Sequence, residues 1–340
     1  MTTTGIPLCQ ETLSSISSAV QLPTYDRAAL IVGIVHFGVG GFHRAHQAMY
    51  TDRLMNQGEA HDWGICGVGV TPADIAMKQA LDVQDGLYTL VIKHADGTLE
   101  PRVIGSIVRY LYAPDDPEAV LEMMANEQTR IVSMTITEGG YNVNQVTGEF
   151  DTLNPLVQRD LEGKAAPVTV FGLVVEALRR RRLAGVAPFT VMSCDNLPGN
   201  GDLTKAMFAA FAELIEPELG NWVRRSVAFP NSMVDRITPV TSDEDRALLL
   251  ESFGVLDQWP VVCEAFTQWV LQDEFPTGRP AWEDAGVQVV ADVEPYELMK
   301  LRLLNAMWGA FIQSVFKRID LAIGMDDLSI LLDWRMFEAG

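Results

Sequence analysis

The sequence predicts an α/β fold: a mostly parallel sheet covered by helices on both faces, followed by the start of an α-helical C-terminal domain. Three observations predict it. Short apolar runs alternate with helix-like stretches as far as Leu214, the pattern of a sheet whose strands are connected through helices. One apolar run, Leu30 to Phe37, breaks into Gly38-x-Gly40 and then into a helix-like stretch. From Pro295 onward the pattern turns helical. The expected division is residues 1–290 for the sheet domain and 291–340 for a helical part.

The strand Leu30–Phe37, its glycine turn and a helix Phe42–Asn56 form a strand–turn–helix unit. That geometry presents free backbone N–H groups and a positive helix end to a pyrophosphate. The cofactor-binding candidates here are Gly38, Gly40, Gly41, Phe42, His43 and Arg44. A third glycine of the usual fingerprint would fall on His43, and glycine turns between strand and helix also occur with no ligand. A second strand is expected at Trp63–Val70, followed by Thr71-Pro72-Ala73-Asp74 and a helix Ile75–Leu81. Asp74 is the candidate acid for adenosine ribose hydroxyls, although it lies further along than the usual ~20 residues from the turn. Its alternative role is a helix N-terminal carboxylate. No Arg or Lys stands beside it for a 2′-phosphate, which favours NAD over NADP. Further strands are expected at Tyr88–Lys93, Arg102–Ile107, Ile131–Thr137 and Phe189–Cys194, with helices at Pro117–Ala125, Val168–Leu183 and Gly201–Leu214.

Composition narrows the function. With 45 acidic against 25 basic residues the formal net charge is −20, which repels phosphate backbones and anionic lipids. Neither a nucleic-acid partner nor a membrane-surface role is expected. No apolar run approaches the ~20 residues of a bilayer span, and Met1–Ser18 lacks the pattern of an export signal. A cytoplasmic, monomeric protein is the expectation. The four cysteines show no CxxC spacing, consistent with reduced thiols. The pair His43 and His46 has no companion ligand at suitable spacing, so no zinc site is expected.

Three further segments carry candidate chemistry. Ser193-Cys194-Asp195-Asn196 closes a predicted strand at the end where open α/β sheets bind ligands, so Asn196 can donate to a substrate oxygen; an Asx turn is the plain alternative. In Phe229–Pro239, Asp235 and Arg236 form either a structural ion pair or a buried anchor beside a cleft. In Glu297-Leu298-Met299-Lys300 through Asn305, a helical period puts Glu297, Lys300 and Asn305 within roughly 140° of arc. Leu301 and Leu304 share that face. A lysine desolvated there loses proton affinity and serves as a general base; a lysine snorkelling over the core is the alternative.

Taken together, the Gly38-x-Gly40-x-Phe42-His43-Arg44-Ala45-His46 turn, Ser193–Asn196, Val234-Asp235-Arg236-Ile237 and Lys300-x4-Asn305 resemble the polyol-specific long-chain dehydrogenase/reductase family, from about Tyr25 to Asn305. The resemblance implies a Rossmann-like domain and metal-free hydride transfer between NAD and a secondary alcohol of a polyol, D-mannitol to D-fructose. The alternatives are reduction of a hexuronate (fructuronate or tagaturonate), or a non-catalytic NAD-binding fragment. It implies Lys300 as general base, Asn196 and Asn305 as holders of the reacting oxygen, and Glu297 as the gate for proton exit. It also implies Asp74 as ribose acid and Asp235 near substrate and cofactor. The family's helix continues after Asn305 to a histidine whose place here is Trp308, and the chain is expected to be truncated or altered beyond that point.

Overall fold

The computed structural model of the chain describes residues 5–302. Contacts divide the chain into two units, Met1–Val293 and Glu294–Gly340. The first is built on five strands, β1 (Val32–Phe37), β2 (Gly64–Gly69), β5 (Ile107–Tyr112), β6 (Ile131–Met134) and β7 (Thr190–Ser193). Their order across the sheet is β5-β2-β1-β6-β7 and every neighbouring pair is parallel. Counted within the sheet this is 3-2-1-4-5, a doubly wound order with its reversal between β1 and β6. The strands β1, β2, β6 and β7 are mostly apolar runs because both faces are covered, whereas the edge strand β5 leaves Arg109 exposed. Val35 and Phe37 of β1 join one core with α4 (Pro117–Ala125), α5 (Val170–Ala184) and α6 (Asn200–Ile215). Ile34 joins a second core on the other face, with α2 (Gln47–Asn56), Trp269 and Trp282.

Several expected boundaries shift. The expected helix Phe42–Asn56 is two helices, α1 (Gly41–Ala45) and α2, broken at His46 with φ −123° and ψ −98°. The carbonyls that would continue the helix are taken by distant side chains: the Tyr88 hydroxyl donates to Arg44 O at 2.6 Å and Arg236 Nη1 to Ala45 O at 2.5 Å. The expected strand Arg102–Ile107 straddles two: β4 (Leu99–Ile104) and β5, parted at Gly105-Ser106. There the Gly105 N–H donates to Asp52 and the Ser106 hydroxyl to Ala48 O. The expected strand Ile131–Thr137 stops at Met134.

Two smaller mixed sheets flank the parallel one. In the first, β3 (Tyr88–Lys93) lies antiparallel to β4 and parallel to β9 (Val261–Glu264). In the second, β10 (Gln268–Gln272) lies antiparallel to β8 (Ser232–Asp235) and parallel to β11 (Gln288–Val290). The four cysteines are free thiols. Among the described residues no helix is long and apolar enough to cross a membrane. In the second unit, residues 294–302 are helical.

Candidate active site

The crevice at the carboxyl ends of β1 and β6 is where this topology places a ligand. Its floor is the glycine turn. Gly38 has φ +85°, and a Cβ there would lie 2.0 Å from Thr135 O, so glycine is required twice over. Gly40 caps α1 with no side-chain hydrogen bond. Among the described residues, a Cβ on Gly40 would meet nothing nearer than Gly38 O at 4.0 Å, so they leave the space above it open. This is the pattern of a phosphate cradle: the first glycine makes the turn, and the second leaves room for close approach to the backbone. The first-turn N–H groups of α1, on Gly41, Phe42 and His43, precede its first helical bond from Arg44 N–H to Gly40 O. A nicotinamide dinucleotide therefore fits this floor.

The side chains of the turn face inward. The His43 ring lies flat on the His36 ring of β1, centroids 3.4 Å apart. His36 Nδ1 in turn meets Ser133 Oγ at 2.8 Å. Burial drives His36 down to about 3 and His43 well below the usual imidazole range, so both are neutral. Arg44 is fully buried, its guanidinium donating to Trp259 O and packed over the Tyr88 ring, and burial lowers its pKa to about 10. What His43 and Arg44 present towards the crevice is therefore main chain. The Phe42 ring stacks on His46.

Asp74 opens the helix α3 (Asp74–Val83) and folds back onto the end of β2. Its Oδ2 accepts from Val70 N–H at 2.9 Å, Thr71 N–H at 2.8 Å and the Thr71 hydroxyl at 2.9 Å. The extra residues before Asp74 thus bring its carboxylate to the strand end that a shorter spacing would reach directly. A Cβ on Gly69 would lie 2.6 Å from the Asp74 Cβ, which is why that strand ends in glycine.

The opposite wall is polar and tightly tied. Asn196 is exposed just beyond β7. The preceding Asp195 is buried and accepts from Ile136 N–H, Thr137 N–H and the Tyr141 hydroxyl; burial raises its pKa. Asn200 bridges the ends of β7 and β8, its Nδ2 donating to Asp195 O at 3.0 Å and Ser232 O at 2.7 Å. At the end of β8, Asp235 is half-buried, while the Arg236 side chain is spent on Ala45 O and Glu264 O. A Cβ on Gly41 would stand 3.3 Å from Thr238 Cγ2, so the run after Asp235 passes beside the glycine turn. The structure thus brings the turn, Asp195–Asn196 and the Asp235 segment around one crevice. Glu297 and Lys300 are half-buried on the helix 294–302 of the other unit. Asn305 and Trp308 lie outside the described residues. Among the described residues no three His, Cys, Asp or Glu side chains are placed to hold a metal.

Thr137, Asn200 and Ser232 were not singled out by the sequence, and Asp195 was marked only as part of the segment that gave Asn196 its role. The one signal for them was the Asp-Asn pair at a strand end, where the turn-forming tendency of both residues hides a buried carboxylate.

The strand order, the glycine cradle and the acid at the end of β2 define a doubly wound dinucleotide-binding domain. Residues 32–284 match the family model described as the mannitol dehydrogenase Rossmann domain, and the chain belongs to that family. It is 53% identical over 308 residues to a mannitol 2-dehydrogenase of Phaeosphaeria nodorum, covering 90% of this chain and 54% of that protein. It is 51% identical over 315 residues to one of Aspergillus fumigatus, covering 90% and 62%. Among solved structures it is similar to Pseudomonas fluorescens mannitol 2-dehydrogenase in ternary complex with NAD and D-mannitol, with a TM-score of 0.84 and 51% identity over 86% of this chain and 60% of that one. A D-sorbitol dehydrogenase in substrate-free form matches with a TM-score of 0.84 and 50% identity, over 88% and 62%. The chain spans between about half and three-fifths of the length of these relatives.

Proposed function

We propose that this chain carries the cofactor half, and part of the substrate half, of a metal-independent NAD-dependent polyol dehydrogenase that interconverts D-mannitol and D-fructose. The observation that carries this reading is the likeness to a solved complex holding NAD and D-mannitol. The open space over Gly40 supports it independently. In this reading the N–H groups of Gly41, Phe42 and His43 receive the pyrophosphate, and the Asp74 carboxylate accepts from the adenosine ribose. NAD bound there would supply the acceptor for the hydride of the alcohol carbon. Lys300, as the neutral amine, removes the hydroxyl proton, so that loss of hydride and proton together leaves a ketone. Asn196 and Asn305 donate to the oxygen as charge develops on it, and Glu297 passes the proton from the lysine to solvent. Asp235 borders the substrate and the cofactor. Amide donors aimed at a developing alkoxide contribute on the order of 10²–10³ in rate each.

The test is NAD reduction by the purified chain on D-mannitol, D-sorbitol and D-arabinitol, beside NADH oxidation on fructose and fructuronate and NADH calorimetry. Turnover on mannitol and fructose, lost by about 10²-fold or more in Lys300→Ala with NADH binding retained, is the expected result. Preference for fructuronate would make it a hexuronate reductase. Binding without turnover would make it a nucleotide-binding fragment. Unchanged activity in Lys300→Ala would refute the base assignment.

A further inference from the structure

The buried carboxylate of Asp195 stands at a place that the proposed chemistry does not use. It is 5% exposed and lies between the exits of β6 and β7, the two strands on one side of the crevice. Its oxygens accept from Ile136 N–H at 3.0 Å, Thr137 N–H at 2.9 Å and the Tyr141 hydroxyl at 2.7 Å. Tyr141 is itself buried, with its hydroxyl 2.5 Å from Ser193 Oγ. The Asp195 carbonyl is held in turn by Asn200 Nδ2.

What this clamp holds is strained. Thr137 is β-branched, exposed, and sits at φ +62°, a conformation such residues rarely adopt and that persists where surrounding structure enforces it. Its own N–H donates to Asp195 at 2.9 Å. Two residues earlier, Thr135 O packs against Gly38 of the turn, and one residue after the clamp comes Asn196.

We infer that Asp195 is a positioning residue. By tying the β6 exit to the β7 exit it sets the wall opposite the glycine turn, and with it the backbone from which Asn196 projects. This inference rests on the cofactor reading for its functional consequence, but the clamp itself is made by the chain's own residues. Freeing the 135–142 segment lowers the fraction of molecules competent to bind, and apparent affinity falls by that fraction.

The test uses the whole chain with Asp195→Asn, Tyr141→Phe and, as a control, Asp52→Asn. Asp52 is an equally buried carboxylate that also accepts from a tyrosine hydroxyl and a backbone N–H, those of Tyr25 and Gly105. Gly105 precedes β5, so this control lies at the amino end of the sheet, away from the crevice. Asp195→Asn is expected to speed amide hydrogen exchange across 135–142 and to weaken NADH binding about tenfold, as loss of a hydrogen bond to a charged acceptor does. With polyol, kcat is expected to fall with it. Tyr141→Phe, which keeps both N–H bonds, gives a smaller effect in the same direction and carries the comparison if Asp195→Asn fails to fold. Asp52→Asn lowers thermal stability and leaves exchange at 135–142 and NADH affinity unchanged. Unchanged exchange in both clamp variants overturns the inference, as does equal weakening of NADH binding in Asp52→Asn. If the wild-type chain binds no NADH, the cofactor reading falls, and exchange at 135–142 alone still decides whether the clamp exists.

Discussion

The two glycines of the turn separate fold from function, and substituting each by alanine tests that separation. At Gly38 the alanine methyl meets two penalties. The backbone at φ +85° costs an L-residue about 1–2 kcal/mol. The methyl would also lie 2.0 Å from Thr135 O and 2.9 Å from Thr135 C, both backbone atoms. Thr135 cannot yield freely, because its N–H donates to Phe37 O at 2.9 Å. Overpacking against backbone adds about 1–3 kcal/mol, so Gly38→Ala is expected to lose roughly 2–5 kcal/mol and about 4 °C or more in melting temperature. At Gly40 the arithmetic reverses. Its φ of −92° suits any residue, and the nearest atom to the new methyl is 4.0 Å away. Gly40→Ala therefore keeps wild-type stability within about 0.5 kcal/mol. Its methyl fills the space through which a pyrophosphate approaches the backbone, so NADH affinity falls about tenfold or more. Thermal unfolding followed by circular dichroism, with NADH titration by fluorescence, reads both. A Gly40→Ala protein that binds NADH as the wild type does, or one that melts as low as Gly38→Ala, refutes the assignment of roles.

Three other outcomes follow from named contacts. Asp74→Ala removes the acceptor of three hydrogen bonds from Val70 and Thr71 and is expected to weaken NADH binding while narrowing the preference over NADPH, both read by titration. Thr137→Gly relieves the left-handed strain at φ +62° and is expected to raise stability by about 0.5–1 kcal/mol in urea unfolding. The buried His36, with its pKa near 3 against about 6.5 unfolded, is a depressed base. Its contribution is full above pH 6.5 and is lost as pH falls from there towards 3, because the unfolded chain binds the extra proton. That amounts to about 2 kcal/mol between pH 7 and pH 5. The raised carboxylates Asp52, Asp195 and Asp257 act in the opposite sense. The measurement is therefore the difference in pH dependence between wild type and His36→Asn, which is expected to be less steep.

What local patterning controls was legible in the chain. Tyr88–Lys93 and Pro117–Ala125 have the expected bounds; the helix carries its own start signal, with Asp116 accepting from Ala119 N–H and proline in the first turn. Four of the parallel strands, β1, β2, β6 and β7, read as apolar runs because both faces are buried. What depends on partners far along the chain was not legible. The helix break at His46 is made by Tyr88 and Arg236, which are 44 and 191 positions from the carbonyls they bind. The strands β8 and β10 mix polar and apolar residues on a small sheet, and their pairing shows no simple alternation in the sequence. Of the site, the cradle was visible because glycine spacing is a local signal. The clamp at Asp195 was not, because a buried carboxylate and an Asx turn have the same sequence.

The absent third glycine has a structural explanation in His43. In the usual fingerprint that glycine lets the helix backbone approach the strand closely. Here the position holds an imidazole, and the strand answers with another: His36, one residue before Phe37, receives the His43 ring face to face at 3.4 Å. Two flat rings at van der Waals distance thus fill the gap that a glycine would close. The substitution carries an electrostatic condition, since two buried imidazoles in contact cannot both hold a proton. The Ser133 hydroxyl on His36, which also donates to Gln47 Oε1, links β1, β6 and α2 beneath the crevice. The geometry of the cradle therefore rests on a stacked histidine pair that burial keeps neutral, anchored through His36 to Ser133.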